Sequence, residues 1–139
     1  MTALLKGVAR AVLATAFLVA ALVAVTPAAA AGLEAKTNRD GMVTVKVTPQ
    51  AVAAGGELRF EVVLDTHSVD LSQDLRDSAV LVAGGEELKP TGWQGDPPGG
   101  HHRKGVLVFA PVSPMPATLT LKIRGVGAPE RVFTWSLAP

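Results

Sequence analysis

The chain has 139 residues, a formal net charge of +1, a hydrophobic fraction of 48% and no cysteine. The absence of cysteine excludes disulfide bonds, thiolate metal sites and lipid attachment at a cysteine. A nearly neutral chain offers no basic surface for nucleic acid or anionic lipid, so we expect no nucleic-acid partner.

The first thirty residues have the three parts of a secretory signal peptide. Residues 1–10 carry Lys6 and Arg10 and no acid, residues 11–25 are an apolar run, and small residues follow Pro27. We therefore expect a signal-peptide helix at residues 1–30, removed after Ala30. The alternative is an uncleaved membrane anchor, but the apolar run is shorter than the roughly 20 residues that span a bilayer. Export would place the protein in the periplasm, at the cell surface or outside the cell, with membrane contact only through an uncleaved leader.

Residues 31–139 are predicted to form a single domain. Without Lys6 and Arg10, 11 basic residues face 12 acidic ones, which gives a net charge of −1. Roughly 110 residues suffice for one hydrophobic core. Because disulfides are excluded, packing must hold the domain, alone or together with a ligand.

Alternation of apolar and polar residues with a period of two predicts β-strands through most of this domain. The predicted strands cover residues 43–48, 58–64, 79–82, 87–89, 106–109, 119–123 and 132–137. About seven strands separated by turn signals indicate an all-β, antiparallel β-sandwich. No helix of ten or more residues is predicted in residues 31–139, which excludes the crossovers of a parallel sheet. The segment Ser72 to Asp77 is predicted to form one helical turn with Ser72 as its cap.

All three histidines lie in two short segments. His67 belongs to residues 65–70, directly after a predicted strand, while His101 and His102 follow a glycine pair in residues 99–105. If the adjoining strands are neighbours, the three imidazoles meet at one end of the sandwich.

The functional interpretation of these segments is a metal site. Its candidate ligands are His67, His101, His102, Asp65 and Asp70, a donor set that suits zinc or copper. Adjacent residues of an extended segment point to opposite faces, so we expect His67 to pair with only one of His101 and His102. The structural interpretation is a hydrogen-bonded hub, in which His67 organises its loop through Asp70, Ser68 or a backbone carbonyl, and His101 or His102 ties the long loop to the sheet. Such a hub would satisfy buried polar groups, each of which costs about 1–3 kcal/mol when unpaired. The sequence leaves both open.

Signs of catalysis are weak. No Gly-x-Ser-x-Gly elbow occurs, and Ser68 beside His67 would point away from it. A metal-dependent enzyme or redox protein on the same scaffold remains the alternative to a non-enzymatic module.

Two further expectations concern basic and aromatic residues. Arg103-Lys104, Arg124 and Arg131 could hold an anion or pair with the acids of residues 65–77, and solvated ion pairs, which stabilise little, are the default prediction. Trp93 is predicted either to cover the histidine segment or to pack on Arg103.

Three stretches carry a resemblance to a known group of proteins. They are Phe60 to Ser72, which contains THSVDLS, Trp93 to Phe109, which contains GGHHRKGVL, and Pro129 to Leu137. With them, nearly all of residues 31–139 resembles a group of small, uncharacterised exported domains of bacteria and archaea. The resemblance implies export and an immunoglobulin-like sandwich, and it supplies no catalytic or ligand residue. The predicted function is therefore an exported binding or structural module whose partner is an unidentified protein or a metal ion.

Overall fold

A computed structural model describes residues 33–137, so the predicted signal peptide and its cleavage site lie outside the described residues. The described part contains nine strands and one short helix. They are β1 (Lys36–Asn38), β2 (Val43–Ala51), β3 (Leu58–Thr66), α1 (Leu75–Ser78), β4 (Ala79–Ala83), β5 (Glu86–Leu88), β6 (Gly92–Gly95), β7 (His102–Phe109), β8 (Thr118–Arg124) and β9 (Glu130–Ser136).

The strands form two antiparallel sheets. One has the order β1-β2-β3-β7-β6 and the other the order β5-β4-β8-β9. In the immunoglobulin fold, strands A, B, E and D form one sheet and strands C, F and G the other, with C′ added beside C in variable-type domains. The order β2-β3-β7-β6 matches A-B-E-D, and β5-β4-β8-β9 matches C′-C-F-G. The predicted immunoglobulin-like sandwich is confirmed.

Two strands were not expected from the sequence. β1 is a three-residue strand paired with β2, and β6 pairs with β7 from Gly92 opposite Val108 to Gly95 opposite Gly105. Glycine weakens a strand because it supplies no side chain for packing. The pattern of β6 therefore looks like a loop, although its pairing with β7 makes it a strand.

The core lies between the sheets and is built from the inward positions of the strands. β2 shows the alternation directly, because Val43, Val45 and Val47 are buried and the residues between them are more exposed. In the middle of the core, the Phe60 ring lies 5.9 Å from the Phe109 ring and 5.5 Å from the Trp135 ring. Full burial of each apolar side chain contributes about 1.5–3 kcal/mol, so packing is the main source of stability.

The helical turn lies later in the chain than predicted. α1 begins after Asp74, whose Oδ1 accepts a hydrogen bond from the Arg76 N–H at 3.0 Å. The prediction of Ser72 as the cap was wrong, because burial of Leu75 fixes the start of the turn closer to β4. Within residues 33–137, no helix is long and apolar enough to cross a membrane.

The two ends of the sandwich differ. One end, called the histidine end below, contains the end of β3, the start of β7, α1, and the turns at residues 39–42 and 125–129. The opposite end carries a surface groove of about 380 Å³ between the β4–β5 turn and residues 116–120.

Candidate functional site

An aspartate and a histidine are in contact on the outer face of the histidine end. The antiparallel register of β3 and β7 places Asp65 opposite His102. Asp65 Oδ1 lies 2.5 Å from His102 Nδ1, and the two side chains are 57% and 60% exposed. A carboxylate can only accept, so Nδ1–H donates and the contact fixes the tautomer. In the neutral imidazole, Nε2 is then left as an acceptor on a side chain that is more than half exposed.

The two histidine-bearing segments lie side by side. The Leu71 N–H donates to the Gly100 carbonyl at 2.9 Å, and the Gly99 N–H donates to the Leu71 carbonyl at 2.8 Å. The Asp70 carboxylate accepts the Gly100 N–H at 2.9 Å. Asp70 therefore joins the two loops, because its Oδ1 is occupied by a backbone donor.

His67 and His101 are exposed and do not organise the loops through their rings. No hydrogen bond of either imidazole is found among residues 33–137, although the His101 carbonyl accepts the Thr66 N–H at 3.0 Å. Thr66 takes the role expected of His67. Its Oγ1 donates to the Met42 carbonyl at 2.7 Å and accepts the N–H groups of Ser68 and of the following valine at 3.3 Å.

The five candidate metal ligands are thus only partly brought together. Asp65 contacts His102, Asp70 binds backbone, and His67 and His101 are exposed. In the part of the chain that the structure describes, no group of three or more His, Asp or Glu residues is arranged to hold a metal ion. These residues do not form a closed four-ligand site of the structural zinc type. What they offer is one imidazole oriented by one carboxylate.

The histidine end is held by a buried arginine that the sequence had indicated as a surface residue. Arg103 is 1% exposed. Its Nη1 donates to the carbonyls of Leu71 at 3.1 Å and Gln73 at 2.6 Å, and its Nη2 donates to the Asp96 carbonyl at 3.4 Å. Burial lowers the pKa of Arg103, while the charges of Asp74 and Asp96 act in the opposite direction. The prediction of a solvated Arg103 ion pair was wrong, because backbone carbonyls of two loops hold its guanidinium.

Trp93 covers this arginine, which is one of its two predicted roles. The Arg103 guanidinium carbon lies 5.6 Å from the centre of the Trp93 ring, and the indole N–H donates to the Asp96 carbonyl at 2.8 Å. The indole lies against Gly105, where a Cβ atom would come within 2.5 Å of Trp93 Cζ2. Glycine at position 105 is therefore needed for the tryptophan to lie over the guanidinium.

A second buried arginine, Arg131, lies at the same end. Its Nε and Nη2 donate to the Val126 carbonyl at 3.1 and 2.8 Å, its Nη1 to Asn38 Oδ1 at 2.6 Å, and its Nη2 also to the Asp40 carbonyl at 2.7 Å. Burial lowers the pKa of Arg131, and Asp40 acts in the opposite direction. Arg131 joins the turn before β2 to the turn before β9, so its predicted ion pair on the surface was also wrong.

The other two basic residues form solvated ion pairs as predicted, but their partners lie outside residues 65–77. Arg124 Nε lies 2.7 Å from Glu130 Oε2, and Lys104 Nζ lies 3.5 Å from Glu61 Oε2. The hydrogen bond from Arg124 lowers the pKa of Glu130. Exposed pairs of this kind contribute little to stability.

Chemically, the arrangement presents an oriented imidazole on an open and firmly supported surface. The contact with Asp65 leaves His102 Nε2 free to accept a hydrogen bond or bind a cation. Comparison with protein-family models, curated proteins and solved structures gave no match for this chain.

Proposed function

We propose that this chain is an exported, non-enzymatic β-sandwich module that binds a ligand or partner through its histidine end. The observation that carries the proposal is the Asp65–His102 pair, in which a carboxylate orients an exposed imidazole. An imidazole with one nitrogen held by the protein presents its other nitrogen in a defined direction. Such a group suits recognition of a donor or cation.

The support beneath the pair favours binding. Arg103 binds carbonyls of the segment that follows β3 and of the segment that precedes β7. Arg131 binds carbonyls of the turn before β2 and of the turn before β9. Surfaces that are already ordered lose less conformational entropy on association, which improves affinity. Thr66 and the two arginines, rather than a histidine hub, therefore keep the binding surface in place.

The surroundings of His102 favour binding over catalysis. Nucleophilic catalysis needs a hydroxyl or thiol within hydrogen-bond distance of the base. The chain has no cysteine, and the Ser68 hydroxyl is directed at Met42 Sδ, 3.6 Å away. The exposure of Asp65 and His102 also means that solvent reaches the pair freely.

A divalent metal ion, zinc or copper, is the second candidate ligand. Histidines that bind metals commonly donate their other ring N–H to a carboxylate, as His102 does to Asp65. This contact supports a metal at Nε2, with further ligands supplied by mobile side chains, solvent or a partner protein.

The metal candidate is tested by titrating the ¹⁵N-labelled protein with zinc chloride and following the histidine ring signals by NMR. We expect the His102 signals to shift first, and Asp65→Asn to weaken binding about 10- to 100-fold because the orienting carboxylate is lost. Glu61→Gln is the matched control, since Glu61 is a carboxylate of the same strand that pairs with Lys104. Unchanged His102 signals at stoichiometric zinc would remove the metal candidate.

The partner candidate needs a separate comparison. Exported proteins of the encoding organism are passed over immobilised wild-type protein, His102→Ala and Thr120→Ala, the last lying on the other sheet. We expect a protein retained by the wild type and by Thr120→Ala to be lost with His102→Ala. Equal retention by all three proteins would contradict binding through the histidine end.

A further inference from the structure

The four edge strands of the two sheets differ in length. β1 and β5 have three residues and β6 has four, whereas β9 has seven. Proteins commonly protect sheet edges by keeping edge strands short or by placing lysine, proline or a bulge there. β9 has neither lysine nor proline, and its register with β8 is regular from Glu130 to Ser136. Its one protecting feature is the inward-pointing Arg131.

The unused hydrogen-bonding groups of β9 can be located from its pairing with β8. The Gly125 N–H donates to the Pro129 carbonyl, and the Leu137 N–H donates to the Ala117 carbonyl. Because hydrogen-bonded pairs alternate along an antiparallel ladder, the odd-numbered residues of β9 bond to β8. The residues whose N–H and C=O groups point away from β8 are Glu130, Val132, Thr134 and Ser136. Within residues 33–137 no backbone hydrogen bond occupies these groups.

The outer side chains of β9 include an exposed apolar residue. Val132 is 50% exposed, and it and Met42 are the large exposed hydrophobic residues of the described part. On one side of it, Thr134 shares a hydrogen bond with Thr120 at 3.2 Å. Lys122 lies opposite Val132 on β8, and Glu130 on the other side pairs with Arg124, so the charges of this face lie at one end of the strand and on β8. A strand added at this edge would cover Val132 and satisfy the free backbone groups.

We propose that β9 pairs antiparallel with β9 of a second copy of this chain. Full overlap of the two strands places Phe133 opposite its own copy, Val132 opposite Thr134, and Glu130 opposite Ser136. In this register the four outward-facing residues of each strand exchange about eight hydrogen bonds, since each hydrogen-bonded pair has two. The two four-stranded sheets join into one continuous sheet across a two-fold axis.

The length of β9 favours its own copy as the occupant, because the other edge strands of the described residues are too short to match it over seven residues. The charges of β9 are compatible with this pairing. In the overlapping register Glu130 faces a serine and Arg131 faces Trp135, so no like charges are opposed. A slip that brings Arg131 opposite Arg131 pairs like charges and also leaves outward-facing groups of the strand unbonded. The inward arginine therefore disfavours that slip, and the number of hydrogen bonds favours full overlap over slips in either direction.

Sedimentation equilibrium of the purified protein over a range of concentrations tests the proposal. We expect a monomer–dimer equilibrium whose dissociation constant rises at least about tenfold, or 1.4 kcal/mol, in Val132→Lys and in Thr134→Pro. Thr134→Pro removes an outward N–H and no hydrogen bond to β8, so the fold should persist, which circular dichroism checks. Thr118→Lys is the control, because it adds the same charge one strand away from the edge. A protein that is monomeric at every concentration, or a dimer that both variants leave unchanged, overturns the proposal.

The register is tested by cross-linking, for which the chain is suited because it has no cysteine. Val132→Cys and Thr134→Cys are prepared separately, mixed and oxidised. We expect a disulfide-linked heterodimer to form faster in the mixture than either homodimer forms alone. Faster cross-linking of Val132→Cys to itself overturns the overlapping register.

Discussion

Replacing Arg103 by methionine tests whether the buried guanidinium holds the histidine end together. Methionine keeps an unbranched apolar side chain but removes all donors, so the carbonyls of Leu71, Gln73 and Asp96 lose their partner. Hydrogen bonds from a charged group contribute about 1.5–3 kcal/mol each. Two of the three, at 2.6 and 3.1 Å, are close enough to count in full, which gives about 3–6 kcal/mol. Removing a buried charge offsets part of this loss. We expect the free energy of unfolding to fall by about 3–4 kcal/mol, which is comparable to the effect of breaking a buried ion pair.

The assay is urea unfolding followed by far-ultraviolet circular dichroism, with the free energy taken from linear extrapolation. Arg76→Met is the matched control, since Arg76 lies near the same loops but is 59% exposed and pairs with Asp74 at the surface. We expect this control to lose much less stability than Arg103→Met, because solvent screens the exposed pair.

A second readout separates local from general destabilisation. If Arg103 braces the loops, amide exchange in Arg103→Met should quicken most at Leu71, Gly99 and Gly100, whose N–H groups bridge the two segments or bind the Asp70 carboxylate. A change in unfolding free energy below about 1 kcal/mol, no larger than an exposed ion pair supplies, would refute the reasoning. An increase in amide exchange that is equal throughout the sandwich would contradict the role of Arg103 in bracing the loops.

Two further predictions concern the same end. Gly105→Ala should cost about 1–3 kcal/mol by overpacking against Trp93, whereas Gly92→Ala, with no atom within 4 Å of the added methyl, should cost less; urea midpoints of both variants decide this. Hydrogen bonds from the Arg76 side chain and N–H lower the pKa of Asp74 in the folded protein. The ionised carboxylate therefore stabilises the fold above the pKa of the unfolded state, and this stabilisation is lost as the pH falls through the pKa of the folded state. The wild-type urea midpoint should therefore fall more than that of Asp74→Asn between about pH 7 and pH 3, and parallel curves would show that the pair does not matter.

The sequence predicts the strands whose side chains alternate regularly and misses those that depend on distant contacts. Every second residue is apolar from Leu58 to Leu64 and from Leu119 to Ile123, and both segments are strands. β6 gives no such signal because Gly92 and Gly95 interrupt it. Gly95 is required by a distant contact, because a Cβ atom at this position would collide with the Gly105 backbone of β7.

The alternation of inward and outward residues along β7 predicts part of the burial of Arg103. Phe109, Leu107 and Gly105 occupy alternate inward positions, and the next position in the same phase is Arg103. Arginine is almost never fully buried without partners, so its chemistry argued for the surface. What reverses that expectation is a set of loop carbonyls about thirty residues away, and no local pattern reveals them.

The sequence predicted that the two histidine segments lie together, but it did not predict which of their side chains are in contact. Both histidine segments lie together, but the contact is between Asp65 and His102, because these two positions are opposite in the β3–β7 register. Strand register depends on the whole pairing, and a shift of one residue would turn His102 towards the other face. The sequence contains the residues of the pair but not that alignment.

The positions of the two arginines explain how an end of a sandwich can stay ordered without disulfides or long helices. Loops at the end of a sheet leave carbonyls without strand partners, and a buried unpaired carbonyl is costly. A guanidinium has five N–H donors in one plane, so one side chain can satisfy carbonyls from several loops at once. Arg103 bonds three loop carbonyls and Arg131 bonds others in two turns, and both lie on the inward phase of strands that also supply the core. Because strand and loop are joined through one residue, displacing either loop would disturb the core. The Asp65–His102 pair therefore rests on a surface whose order is tied to the stability of the whole sandwich.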